Sequence, residues 1–103
     1  MTFSNNESRV MTALETVIDP ELGIDIVNLG LIYEVEVINH HCHIKMTLTT
    51  QGCPLSDLLH QAIQQAVLDL PTIDTVEIQL VWYPLWSVEK MSRYARVALG
   101  IGG

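Results

Sequence analysis

Cys42 and Cys53 are the two cysteines of the chain, and a cysteine can serve as nucleophile or as soft metal ligand. Their settings differ. The strand-like run that ends at Thr49 or Thr50 breaks through Gly52, and Pro54 then suits the first position of a helix. The Cys53 thiol therefore falls at or next to a helix N-terminus, where unpaired backbone N–H groups and the helix dipole favour an anion and lower a thiol pKa. Thiolate is the form that attacks and the form that binds metal. The same position also suits a buried cysteine filling space before a helix, and the pattern leaves both readings open. Cys42 shares a strand face with Ile44, Met46 and Leu48, so it reads as core.

Other residues carry weaker signals. His40-His41-Cys42-His43 has the composition of a metal tract, but two imidazoles on one strand face do not close a site, and a solvated hairpin end is the plainer reading. His60 lies seven residues after Cys53, about two helical turns away, which is far for a proton acceptor. Asp19-Pro20-Glu21 reads either as a rigid loop presenting two carboxylates or as a helix stop followed by a turn. Trp82-Tyr83-Pro84-Leu85-Trp86 reads as a docking surface or as large side chains closing the end of a small core. Lys90, Arg93 and Arg96 recur at helical spacing and would give a last helix a basic side.

These residues need elements to position them. Ser4 and Glu7 form a capping-box pair, and Val10, Met11, Leu14, Val17 and Ile18 follow at helical spacing up to Asp19-Pro20, where the pre-proline residue leaves the α region. Residues 20–30 hold two glycines and no sustained period, so a structured loop is expected, with Ile24, Ile26 and Val27 inward. A strand is expected over about 31–38, with Leu31, Tyr33, Val35 and Val37 on one face. Asn39-His40 makes a two-residue turn into a second strand. A helix over 54–70 carries the stripe Leu55, Leu58, Leu59, Ala62, Ile63, Ala66, Val67 and Leu70, of which Leu58, Leu59, Ile63 and Val67 should face the sheet. A third strand runs from Thr75 to about Trp82, and a last helix capped by Ser87 reaches Leu99, with Gly100 as its left-handed stop. The order α-β-β-α-β-α gives an α+β fold, helices against a small mixed three-stranded sheet, as one domain over residues 1–103.

Composition narrows the function. The balance of 5 Lys+Arg against 12 Asp+Glu gives a net charge of −7, which argues against nucleic acid, since phosphate binding needs basic patches. The opening residues Met1 to Glu7 show neither a basic nor an apolar leader segment, and no apolar run is long enough to span a bilayer. A cytoplasmic protein with reduced thiols and no membrane partner is expected. A mean hydropathy of +0.28 is high for a soluble monomer and points to apolar surface covered by a second copy or a partner.

Read together, Asp19-Pro20-Glu21-Leu22, Ile26-Val27-Asn28-Leu29-Gly30-Leu31-Ile32-Tyr33, Met46-Thr47-Leu48-Thr49 and Gly52-Cys53-Pro54-Leu55 resemble the metal–sulfur cluster biosynthetic family of SufT-type and PaaD-type assembly factors. The likeness continues through Leu80-Val81-Trp82 and Pro84-Leu85-Trp86 to Met91-Ser92. The resemblance implies a fold like other iron–sulfur assembly domains and a role in maturing iron–sulfur proteins. It marks Cys53 as the reactive or metal-ligating cysteine, with Asp19, Glu21, Thr49 and Pro54 framing its pocket. Asn28 stands where the family usually has Asp, and Tyr83 where it usually has an acidic residue, which alters the pocket rim. No additional C-terminal cysteine pair is present, so a SufT-like role is favoured over a PaaD-specific one.

The expectation is a factor without turnover of its own. In it, Cys53 contacts iron or a transient iron–sulfur cluster, none of it tightly held, and passes it from the assembly machinery to client apoproteins. An adaptor that recruits clients through Trp82, Trp86 and the last helix while Cys53 merely packs is the first alternative, and a thiol enzyme with Cys53 as nucleophile and Asp19 or Glu21 as acid or base is the second. An enzyme of that kind needs a positioned base and an oxyanion hole, which the sequence does not supply.

Overall fold

The computed structural model describes residues 5–20, 22–48 and 57–100. Helix α1, Asn5–Leu14, buries Val10 and Leu14 one turn apart. It then tightens, with Val17 N donating to Leu14 O at 3.1 Å, so that Val17 is buried while Ile18 turns outward at 51% exposure. Ile18 is therefore not part of the inward stripe. It instead bridges to Asp25 across the loop that follows.

Strands β1 (Ile32–Ile38) and β2 (His41–Met46) form an antiparallel hairpin, and β3 (Thr75–Leu80) adds parallel to β2, giving a mixed sheet in the order β1-β2-β3. Asn39 and His40 both take positive φ, 51° and 66°, as a two-residue hairpin turn of the primed kind requires. Alternation buries Cys42, Ile44 and Met46 of the central strand. Tyr33 departs from the expected face. Ile32 pairs with Met46 and Glu34 with Lys45, which leaves Tyr33 as the extra residue of a β-bulge and returns Ile32, rather than Tyr33, to the inner side.

Helix α2, Asp57–Leu68, packs on the same sheet face as α1 and buries Leu59, Ile63 and Val67 at i, i+4, i+8 spacing. Leu58 is 79% exposed, contrary to the expectation that it faces the sheet, because the buried stripe is narrower than the run of apolar residues. Pro54 and Leu55 lie outside the described residues. The opposite sheet face is polar, with Glu34 and Lys45 3.7 Å apart.

The chain after β3 differs most from the sequence reading. In place of one helix capped by Ser87, a 3₁₀ turn at Val88–Lys90 is followed by extended Met91, and α3 occupies only Arg93–Ala98. Ser87 makes no side-chain cap, whereas Ser92 Oγ accepts from Ala95 N at 3.1 Å. The break lets Met91 enter the core and Ser92 N reach Asn28 O at 2.8 Å. Lys90 consequently lies outside α3, and only Arg93 and Arg96 share that helix. Gly100 takes φ +74° as the left-handed stop.

Candidate functional site

The loop between α1 and β1 closes on itself before it reaches the sheet. Asp19 N donates to Ile24 O at 2.9 Å, Gly23 N to Asp19 O at 2.8 Å, and Leu22 N to Asp19 Oδ1 at 3.1 Å. The Asp19 carboxylate thus fixes its own turn, as an Asx motif does. Glu21, its expected companion, lies outside the described residues.

A second carboxylate in this loop escaped the sequence reading. Asp25 is 7% exposed and accepts from Asn28 N at 3.0 Å and Asn28 Nδ2 at 2.7 Å. Asn28 Oδ1 in turn accepts from Ser92 Oγ at 2.6 Å, so one chain of hydrogen bonds joins Asp25, Asn28 and Ser92 to the start of α3. The Asn28 amide offers both the donor toward Asp25 and the acceptor toward Ser92, whereas a carboxylate at 28 would set two negative charges together. Asn28 in place of the expected Asp is therefore matched to its surroundings. Asp25 followed three residues on by Asn28 was the only sequence cue to this turn.

The aromatic segment splits into an anchored and an open part. Trp86 Nε1 donates to Leu29 O at 2.7 Å and its ring packs against the core, while Trp82 is half-buried. Tyr83 is 88% exposed and Leu85 60%. Beneath them Tyr33 hydroxyl donates to Pro84 O at 2.8 Å, and Lys90 Nζ stands 5.1 Å from the Tyr33 ring centroid. Gly30, with φ +78°, lies against this group, and a Cβ there would overlap the Lys90 carbonyl. The bulge thus places Tyr33 to hold the 82–90 segment against the 26–31 turn.

Thr47, the first residue after β2, is buried, and its N donates to Leu31 O at 2.9 Å. This ties the exit of β2 to the same turn. Thr49, Cys53 and Pro54, the other expected pocket residues, lie outside the described residues. Cys42 is placed as expected. It is fully buried at the middle of the sheet, and its thiol is pushed up to about 11, first by burial and then by the Glu7 carboxylate. A thiol held protonated in this way is neither a nucleophile nor a ready ligand.

The histidines of the hairpin end are engaged with the chain itself. His40 Nδ1 lies 3.0 Å from Thr72 O, and His41 has Thr75 Oγ1 at 2.6 Å and Glu77 at 3.7 Å. Among the described residues no group of three His, Cys, Asp or Glu side chains could hold a metal ion. No helix among them is long and apolar enough to cross a membrane.

Residues 7–80 match the family model described as iron–sulfur cluster assembly protein. The chain belongs to the iron–sulfur cluster assembly protein family. It is 50% identical over 96 residues to the Fe-S protein maturation auxiliary factor YitW of Bacillus subtilis, covering 92% of this chain and 94% of that one. It is 48% identical over 86 residues to the Fe-S protein maturation auxiliary factor SufT of Staphylococcus aureus, covering 82% and 98%. Its fold is similar to the crystal structure of a domain of unknown function, DUF59, from Bacillus anthracis, with a TM-score of 0.84, 45% identity, and 94% and 93% of the two chains covered. The α+β architecture expected of this iron–sulfur assembly family is thus present in the chain.

Proposed function

We propose that this chain is a SufT-like maturation factor for iron–sulfur proteins, acting in the cytoplasm between the assembly machinery and client apoproteins. The observation that carries the reading is the close relation, across nearly the whole chain, to two maturation auxiliary factors. In this reading Cys53 is the working thiol, framed by Asp19, Glu21, Thr49 and Pro54. It contacts iron or a transient cluster as cargo, without turnover of its own. Cys42, protonated in the core, leaves Cys53 as the thiol free to act. Cluster irons are usually completed by four thiolates, so the remaining ligands come from a second copy, small thiols, carboxylates or the client. Any bound cluster is therefore labile and shared.

The exposure of Tyr83 and Leu85 beside half-buried Trp82 and anchored Trp86 favours a docking role for this segment toward clients. An adaptor that recruits clients by this surface alone is the second reading. Anaerobic reconstitution with ferrous iron, sulfide and thiol, followed by incubation with an apo-enzyme that needs a cluster, separates the two. Wild type should activate the apo-enzyme and Cys53→Ser should not; equal activation by both would leave only the adaptor.

A further inference from the structure

The two edges of the sheet are built differently. On β1 the outer edge is managed, with Val37 N donating to Glu7 Oε2 at 3.3 Å and the Tyr33 bulge interrupting the ladder. On β3 the register from Thr75 to Leu80 is unbroken, and the strand contains no proline, lysine or bulge. Thr75 N donates to His40 O at 3.4 Å and Val81 N to Met46 O at 2.8 Å, so the odd-numbered residues point their backbone groups at β2. By the two-residue period, the N–H and C=O groups of Val76, Ile78 and Leu80 point away from β2, and no backbone partner meets them among the described residues. Their side chains, on the inner face, are only half-buried, whereas Cys42, Ile44 and Met46 beside them on β2 are fully covered. An open ladder and an open apolar flank thus coincide on one strand.

The strand is complementary to itself. We propose that β3 pairs antiparallel with β3 of a second copy about a twofold axis at Ile78, joining the two sheets into one. In that register Ile78 faces Ile78 of the second copy as a hydrogen-bonded pair, and Val76 faces Leu80, so all three outward-pointing residues complete their backbone bonds. Apolar side chains meet on the inner face. On the outer face the Glu77 carboxylate of each copy stands opposite the Gln79 amide of the other, a donor for an acceptor. Sliding the axis to Glu77 would set two carboxylates directly opposite, which disfavours that register. The pairing is isologous and closed, so it stops at two copies. It stands independently of any role in iron handling.

Sedimentation velocity on the full chain across a concentration series, with circular dichroism to confirm folding, tests this. Wild type should sediment as a dimer that dissociates on dilution, and the amides of Val76, Ile78 and Leu80 should gain exchange protection as concentration rises. Gln79→Glu, an exposed change, sets like charges opposite at two symmetric places and should weaken the dimer roughly tenfold. The double variant Glu77→Gln/Gln79→Glu reverses the pair and should restore it. A wild type that is monomeric throughout, or a dimer that Gln79→Glu leaves unchanged, would overturn the assignment.

Discussion

Cys42 and Cys53 are eleven residues apart, one on the middle strand and the other in the chain between β2 and α2, and the roles proposed for them are opposite. Cys42 stands on the middle strand, opposite Val37 on one side and Val76 on the other, and is fully buried. There an uncharged sulfur fills space, and burial keeps its proton on up to about 11. Cys53 stands in the segment that leads from the end of β2 into α2, between Gly52 and Pro54 in the sequence. In the proposed reading, the element around a cysteine, rather than the residue type, decides whether it packs or reacts.

The largest effect that could break this contrast lies in exchange of each cysteine for serine. Cys53→Ser should reduce client activation to background while leaving the denaturation midpoint unchanged within error. Cys42→Ser should do the reverse, costing about 1–3 kcal/mol of folding stability in a denaturant titration because a hydroxyl would be buried without a partner. The folded fraction should activate clients at the normal rate. The raised thiol pKa of Cys42 adds a pH signature, since the fold favours the protonated form. Its contribution is present below the ordinary thiol range and lost as pH rises through about 11, and Cys42→Ala should flatten that alkaline decline.

A smaller effect tests what lies outside the core strand. Ser92→Ala removes both the cap of α3 and the hydroxyl that donates to Asn28, and should cost about 1 kcal/mol. If stability were unchanged, the chain from Asp25 to α3 would be a minor feature of the fold.

Much of the architecture was legible because period and punctuation agreed. The hairpin turn at Asn39-His40, the alternation of Cys42, Ile44 and Met46, and the spacing of Leu59, Ile63 and Val67 all followed from local pattern. What was not legible depended on contacts between distant segments. Asp25, Asn28 and Ser92 look like ordinary turn and cap residues until the fold brings residue 92 beside residue 28. Ser87 and Ser92 are equivalent as caps in the sequence, and the burial of Met91 decides between them. Tyr33 fitted the strand alternation, and only the register with β2 exposes the bulge. Of the candidate site, the helix-start pattern and the family resemblance point to Cys53 and its frame as a proposal, while the structure shows Cys42 fully buried with its thiol pushed up to about 11.

That last contrast can be measured directly. The native protein is treated with limiting iodoacetamide between pH 6 and pH 10, and each cysteine is quantified by peptide mass mapping. Cys53 should be alkylated first, at a rate that levels off below the ordinary free-thiol pKa of about 8.5, while Cys42 stays unmodified until the protein unfolds. Equal labelling of the two, or faster labelling of Cys42, would contradict the division of roles between them and with it the assignment of Cys53 as the working thiol.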